Sequence, residues 1–350
     1  MQKVTQKKVV IATALLAVVI FFYFFVMLNG FFSRPLVEKG VQTSIKVYPN
    51  QPVSMLLQRL HEKNVIHHFI FFEWMVRLVD AEHHLRFGEY QIQYPITAWQ
   101  LLRHMTTGTG LVKHRFTIVN GWTYQDIRDA ISKDANFNAA SVVQSNLQVM
   151  QSLQSFYAHP EGLFYPDTYF FTWGNSEMTV LKMAYQKMQT TLQQAWQHRA
   201  SNLPYEDAYQ ALIVASLIER ETALDSEKPT IASVILNRLK KKMRLQIDPS
   251  VLYGLKKSFG VPITKTDLQS KTPYNTYQIK GLPPTPICMP SQSSLEAALH
   301  PATTDYLYYV ANGKGGHNFS KTFPEHLIQS KAYQRTVSAN EVDASKTSKP

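Results

Sequence analysis

From Val9 to Leu28 the chain runs twenty residues without a charge, and no later segment repeats the pattern. A helix rising about 1.5 Å per residue over that length spans roughly 30 Å, the hydrocarbon thickness of a bilayer. Signal-peptide cores are shorter, ~7–15 residues, and no small-residue cleavage site follows among Asn29, Gly30, Phe31, Phe32 and Ser33. The pattern therefore predicts an uncleaved transmembrane helix over 9–30. Lys3, Lys7 and Lys8 precede it, whereas Arg34, Glu38 and Lys39 follow with a smaller positive excess. The positive-inside rule then leaves residues 1–8 as a cytoplasmic tail and exports the rest. The apolar stretches at 69–78 and 211–218 are too short to cross, so a single pass is expected.

Beyond the span, period-2 and period-3.6 patterns take turns. A strand is predicted at Ser44–Tyr48, and a helix at Pro52–His61 with Val53, Leu56, Leu57 and Leu60 on one stripe. A second helix follows at Phe69–Val79, a strand at Glu89–Gln93, and a helix at Ile96–Met105 with Trp99, Leu102 and His104 flanking its core side. These make a small α+β module, 44–106, closed by the linker Thr106-Thr107-Gly108-Thr109-Gly110. A larger helix-rich α+β domain is predicted over 111–337. It opens on a strand at Val112–Val119, a turn at Gly121 and a helix capped by Thr123, stays helix-rich to Ala200, and ends in loops with a strand at Tyr306–Ala311. Residues 338–350 are polar and read as a flexible tail. The fold class is α+β.

Composition narrows the partners. With 45% hydrophobic and 17% charged residues the chain is no disordered polymer, and its 350 residues suit two domains plus an appendage. A formal charge of +11 favours an anionic surface. Because the basic part is exported, that surface is membrane lipid and cell wall, and nucleic acid is excluded. The single cysteine, Cys288, has no His partner and reads as a small buried hydrophobe. Twelve histidines call for a metal check, but His67-His68 and His83-His84 are adjacent and His61-Glu62 lacks a second ligand at the required spacing. No metal or cofactor is expected.

Two glutamates stand out in A-L-I-V-A-S-L-I-E-R-E-T-A-L at 211–224. Glu219 and Glu221 lie about 200° apart around a helix, so they face opposite ways. Glu219 continues Leu212, Ala215 and Ser216, the smaller and more polar side, while Glu221 continues the bulkier Val214, Leu217 and Ile218. Desolvation on that side raises a carboxyl pKa, as a general acid needs near neutrality. Both glutamates equally fit a plainer role, capping a helix end or pairing with Arg220, Arg238 or Lys242. Asp248-Pro249 reads first as a helix cap. Tyr253, Tyr274-Asn275-Thr276-Tyr277 and Gly281-Leu282-Pro283-Pro284 offer ring faces and amide edges suited to sugars and equally to loop packing. Gly315-Gly316-His317 suits a tight turn whose histidine orients a substrate or satisfies backbone.

Six ordered motifs carry a resemblance: I-E-R-E-T-A at 218–223, A-S-V-I-L-N-R-L at 232–239, M-R-L-Q-I-D-P-S-V-L-Y-G at 243–254, T-P-Y-N-T-Y at 272–277, G-L-P-P at 281–284 and G-K-G-G-H-N-F at 313–319. With E-G-L-F-Y-P-D-T-Y at 161–169, the chain resembles the endolytic murein lytic transglycosylases, the MltG or YceG-like family. The 44–106 module is similar to that family's LysM-like subdomain, with Asn50 at a turn position commonly held by Gly.

The resemblance implies an inner-membrane lyase that cleaves the MurNAc–GlcNAc bond within nascent peptidoglycan strands, leaves 1,6-anhydroMurNAc ends and so terminates glycan elongation. By the same resemblance the second glutamate of E-x-E-T, Glu221, is the catalytic acid, with Glu219 the second-choice carboxylate. Gln246, Tyr274, Asn275, Tyr277 and His317 are expected around the glycan, with Asp248 supporting them, and peptidoglycan synthases are the expected protein partners. The competing class is a non-catalytic, membrane-anchored peptidoglycan-binding scaffold for a synthase.

Overall fold

The structure is a computed structural model that describes residues 2–33, 35–36, 43–66, 69–93, 95–137 and 145–347. The pair His67-His68 lies outside them. The chain divides into two compact units, the first made of 1–114 with 136–138 and 170–175, the second of the remainder.

The first unit begins with α1 (Gln2–Ser33), a helix covering the charge-free stretch. Its apolar side chains from Ile11 to Met27 are exposed. Among the described residues no helix is long and apolar enough to cross a membrane. The module that follows has the predicted element order: β1 (Thr43–Val47), α2 (Val53–Glu62), α3 (Phe69–Leu78), β2 (Gly88–Ile92) and α4 (Ala98–Thr107). β1 and β2 pair antiparallel, with Ile45 opposite Tyr90 and Val47 opposite Gly88, and the inward residues of both strands join Leu56, Leu57, Leu60, Phe72 and Met105 in one core. Asn50 takes a left-handed φ of 55°, so the turn does need the backbone freedom that glycine gives, and Asn supplies it. The expected stripe of α4 is displaced. Ala98, Leu101, Leu102 and Met105 form the buried face, whereas Trp99 is 47% exposed; a Thr97–Gln100 capping box closes the start of the helix.

The second unit is built around one helix. After the module the chain continues, in order, with β3 (Lys113–Thr117), α5 (Tyr124–Lys133), α6 (Asn146–Ser152), β4 (Thr168–Thr172), α7 (Glu177–Gln197), α8 (Ala208–Glu221), α9 (Lys228–Lys240), α10 (Asp248–Gly254), α11 (Lys265–Leu268), α12 (Gln292–Leu299), β5 (Tyr308–Ala311), β6 (His317–Ser320) and α13 (Phe323–Thr347), of which Lys113 and His114 of β3 and residues 170–172 of β4 fall in the first unit. Thr123 caps α5 as expected, in a box with Asp126. α7, α9, α10 and α12 all pack on α8. Every residue from Ala211 to Ile218 is consequently buried, and α8 is apolar all round instead of striped. β5 and β6 form an antiparallel hairpin with Tyr309 opposite Phe319 and Ala311 opposite His317, which puts Tyr309, His317 and Phe319 on one face. The segment read as a turn thus includes a strand, since only Gly313 and Gly315 take positive φ and pairing resumes at His317. Helix α13 continues to Thr347, through most of the tail read as flexible; Pro350 is the first helix breaker after Pro324.

Candidate active site

Glu221 is the last residue of α8. Thr222 turns extended (φ −144°, ψ 141°), its backbone N–H still bonded to the Ile218 carbonyl, and the chain re-enters helix at Lys228 with Pro229 in the first turn of α9. The helix thereby delivers the carboxyl from a buried core to the edge of a polar cavity of about 480 Å³, whose lining includes Asn120, Glu219, Arg220, Glu221, Asp225 and Ser293.

Burial pushes the Glu221 carboxyl up to about 7. The Tyr309 hydroxyl donates a hydrogen bond to it and opposes the shift, the Asp248 charge adds to it, and the Arg238 guanidinium again opposes it. The negative end of the α8 macrodipole works in the same direction as burial. Tyr309 is itself pushed upward, by burial and then by the Glu221 charge, so it stays a donor. Arg238 is 7% exposed and fixed by the carbonyls of Leu307 (2.6 Å) and Leu245 (2.5 Å), which leaves its charge directed by the backbone instead of by a dedicated carboxylate.

Glu219 meets a different environment. Its Oε2 accepts from Ser291 N (3.0 Å), Ser294 Oγ (2.5 Å) and Lys228 Nζ (3.5 Å). Lys228, 4% exposed, also contacts Asp225 at 2.8 Å and Ser293 at 2.8 Å. Glu219 is an anchored carboxylate joining α8 to α9 and α12. The pairing anticipated for the glutamates is found here, with Lys228 as partner in place of Arg220, Arg238 or Lys242.

The other expected residues divide into two groups. Asp248 does not cap α10, whose cap position is Ile247 without a side-chain bond; its carboxylate instead accepts the Tyr277 hydroxyl at 2.6 Å. Tyr277 feels the charges of both Asp248 and Glu221. Gln246 is exposed, and its Oε1 accepts from Arg238 Nη1 at 3.4 Å. His317 lies edge-on to the Tyr309 ring, 5.4 Å between centroids, and its Nδ1 is 2.8 Å from Glu227 Oε2. Glu221, Asp248, Tyr277, Gln246 and His317 therefore belong to one constellation. Asn275 does not join it, for it is fully buried and spends its amide on the carbonyls of Leu268 (3.1 Å) and Ser270 (2.7 Å) and on Tyr277 N (3.0 Å). It shapes the loop that carries Tyr277. Tyr274 turns toward Tyr253, 4.9 Å edge to face, and bonds Thr285 at 2.8 Å.

Three participants were not singled out from sequence. Tyr309 sat in a predicted strand, and alternation alone does not distinguish it from Tyr308. Glu227 had no local signal; it accepts both the backbone and the ring of His317 (2.8 Å each) and the Thr222 hydroxyl (3.4 Å). Burial works against its carboxylate, but the His317 hydrogen bonds prevail and hold its pKa below the usual range. Lys228, the first residue of α9, carried no local signal either. Cys288 is buried with its thiol pKa raised by burial, as a small hydrophobe would be. Among the described residues no cluster of His, Cys, Asp or Glu has the makings of a metal site.

An α+β domain that presents a desolvated carboxyl at a polar cavity, with a tyrosine donor and a guanidinium acting on that carboxyl, has the apparatus of acid–base catalysis. Residues 45–332 match the YceG-like family. The chain is 30% identical to an endolytic murein transglycosylase of Bacillus subtilis over 87% of its own length and 88% of that protein. It is 24% identical to one from Streptococcus pneumoniae over 72% of its own length and about half, 51%, of that protein. A YceG-like protein of Listeria monocytogenes superposes with a TM-score of 0.52 at 28% identity, over 82% of this chain and 99% of the other. The chain belongs to the YceG-like family.

Proposed function

We propose that this protein is an endolytic lytic transglycosylase of peptidoglycan, with Glu221 as its one acid–base group. The observation that carries the reading is a carboxyl raised to about 7 by burial, hydrogen-bonded by Tyr309 and open to a polar cavity. Ordinary glycosidases divide the work between two carboxylates. Here Glu219, which lines the same cavity, is immobilised by Ser291, Ser294 and Lys228 and is not available as the second carboxylate. Glu221 gives its proton to the glycosidic oxygen between MurNAc and GlcNAc as the C1–O bond breaks. The carboxylate it becomes is stabilised by the Tyr309 hydroxyl and Arg238, while Asp248 supplies negative charge toward the developing oxocarbenium ion. The same carboxylate then removes the proton of the muramic acid 6-hydroxyl, whose oxygen closes on C1. The proton returns to Glu221, and atoms balance without water. A tethered hydroxyl has a high effective concentration, so no base for water is needed.

The finer assignments follow from the same reading. Gln246, Tyr277 and His317 hold the glycan around Glu221. The module over 44–106 is LysM-like and binds glycan in its own cavity of about 790 Å³, lined by Tyr48, Asn50, Gln51 and Phe87. α1 anchors the protein in the inner membrane with residues 1–8 in the cytoplasm and the catalytic domain on the opposite, extracytoplasmic side, where a peptidoglycan synthase is the partner and the cut ends strand elongation.

The test is digestion of purified glycan strands with the protein and its Glu221→Gln variant, read by mass spectrometry. The wild type is expected to give anhydro-ended fragments, and the variant to lose roughly 100- to 10,000-fold in rate. Reducing ends would mean a hydrolase. Strands left intact by the wild type would favour the scaffold, and anhydro products undiminished in Glu221→Gln would remove the acid from this residue.

A further inference from the structure

A second carboxyl, unused by this mechanism, is buried behind a second cavity. Glu161 begins the E-G-L-F-Y-P-D-T-Y segment and is 3% exposed. Its Oε1 accepts Tyr124 N at 2.9 Å and its Oε2 accepts the Tyr253 hydroxyl at 3.0 Å. It forms part of the wall of a cavity of about 610 Å³, together with Tyr253, Tyr274, Phe259, Lys256 and Asn146. The backbone around this cavity is closely packed. Gly162 has φ +78°, and a Cβ there would lie 2.4 Å from Pro286 Cβ; one at Gly254 would lie 2.5 Å from the Thr272 hydroxyl.

The chemistry of the lining is that of a sugar site. Burial raises the Glu161 carboxyl to about 8, so near neutrality it keeps its proton. A carboxyl and a phenol joined by one hydrogen bond hold two protons between them, and one O–H remains for a ligand. Tyr253 and Tyr274 meet edge to face at 4.9 Å and give ring surface, and Lys256, exposed and without an ion pair among the described residues, adds a cation at the rim. Lys257 is already paired with Asp267 at 2.7 Å.

The cavity also adjoins the catalytic one. Arg220 lines the Glu221 cavity, and its guanidinium lies 3.9 Å from the ring of Phe259, which lines the Glu161 cavity. On the other side the turn that runs from Asn120 in one cavity to Thr123 in the other passes through Gly121, whose carbonyl accepts from Arg220 Nη1 at 3.4 Å. One stacked pair separates them.

We infer that the Glu161 cavity is a remote subsite for the same glycan strand that is cut at Glu221, taking an N-acetylated hexose on Tyr253, Tyr274 and Phe259 with its anionic stem peptide toward Lys256. This deepens the transglycosylase reading and rests on it. It makes cleavage favour long strands, because a short oligomer bound at Glu221 cannot reach across Arg220 and Phe259.

The test uses the full chain carrying Glu221→Gln, so that strands bind without being cut, and titrates it calorimetrically with stem-bearing tetrasaccharide and octasaccharide. The octasaccharide is expected to bind about tenfold tighter. Adding Phe259→Ala should reduce that ratio to about twofold, and Lys256→Glu should reduce it for stem-bearing strands but not for bare chitooligosaccharides, with thermal unfolding unchanged in both. Equal affinity for the two lengths, or a length preference that survives Phe259→Ala, overturns the subsite. Failure of the catalytic reading is separately visible, because wild-type protein would then leave strands without anhydro ends whatever the length preference.

Discussion

Keeping Glu221 protonated in the folded chain carries a stability cost with a defined pH window. Its pKa is about 7 when folded against 4.5 as a free carboxyl. Below pH 4.5 both states hold the proton and nothing is lost; as pH rises toward 7 the unfolded chain releases it while the folded chain does not, so stability falls and levels off above 7. Glutamine keeps the shape and still accepts from Tyr309. Glu221→Gln is therefore expected to stabilise the protein by on the order of 1–3 kcal/mol at pH 8 and by nothing measurable at pH 4, in denaturant titrations at the two pH values. Equal effects at both would mean that the carboxyl is not desolvated. At this scale a desolvated carboxyl at Glu221 was legible, but the stripe that pointed to it was not the cause. Val214, Leu217 and Ile218 are no more buried than Leu212, Ala215 and Ser216. What separates the two glutamates is their partners, and Ser291, Ser294 and Tyr309 are 72 to 88 positions away in sequence, beyond the reach of any local pattern.

Helix α8 keeps its end in place through a buried polar cluster as well as through packing. Lys228 on α9 and Ser291, at the start of α12, both bind Glu219 of α8, and Lys228 is 4% exposed. Removing one member of such a pair strands the other charge. Lys228→Met is expected to destabilise by about 3 kcal/mol, and the double variant with Glu219→Gln to recover more than half of it, since no buried charge is then left without a partner. A double variant as unstable as the sum of the singles would show that the two side chains act independently. The elements themselves were largely readable, because amphipathic periods and caps are local: Thr123 with Asp126 fixed the start of α5, and Val53, Leu56, Leu57 and Leu60 marked α2. The elements missed depend on partners. β4 is T-Y-F-F-T, without full alternation, and becomes a strand by lying beside β3. β6 follows two glycines and is a strand because β5 pairs with it. Next to Glu221 in the chain, Arg220 was weighed only as an ion-pair partner, whereas it stacks on Phe259.

At the scale of the whole molecule the charge and the apolar surface are distributed unequally. Of the formal +11, Lys3, Lys7 and Lys8 account for three, leaving +8 on the remainder. The side chains from Ile11 to Met27 are apolar or aromatic apart from Thr13, and they are exposed along α1. A soluble protein gains nothing from such a surface, because apolar area left in water forfeits about 25 cal/mol per Å². On the proposed anchoring, a bilayer recovers that energy, and anionic headgroups add about 1 kcal/mol for each nearby lysine. Glu221, Tyr309, Asp248 and Arg238 all belong to the second unit, and none depends on α1 for a hydrogen bond. Deleting residues 1–33 is therefore expected to separate location from chemistry. The full chain should sediment with membranes and require detergent for release, resisting extraction by high salt because the apolar term is not screened. The shortened chain should remain in the soluble fraction and still convert purified strands to anhydro-ended fragments. Release of the full chain by salt alone would reduce α1 to an electrostatic contact, and loss of cleavage in the soluble form would mean that the first 33 residues take part in the chemistry.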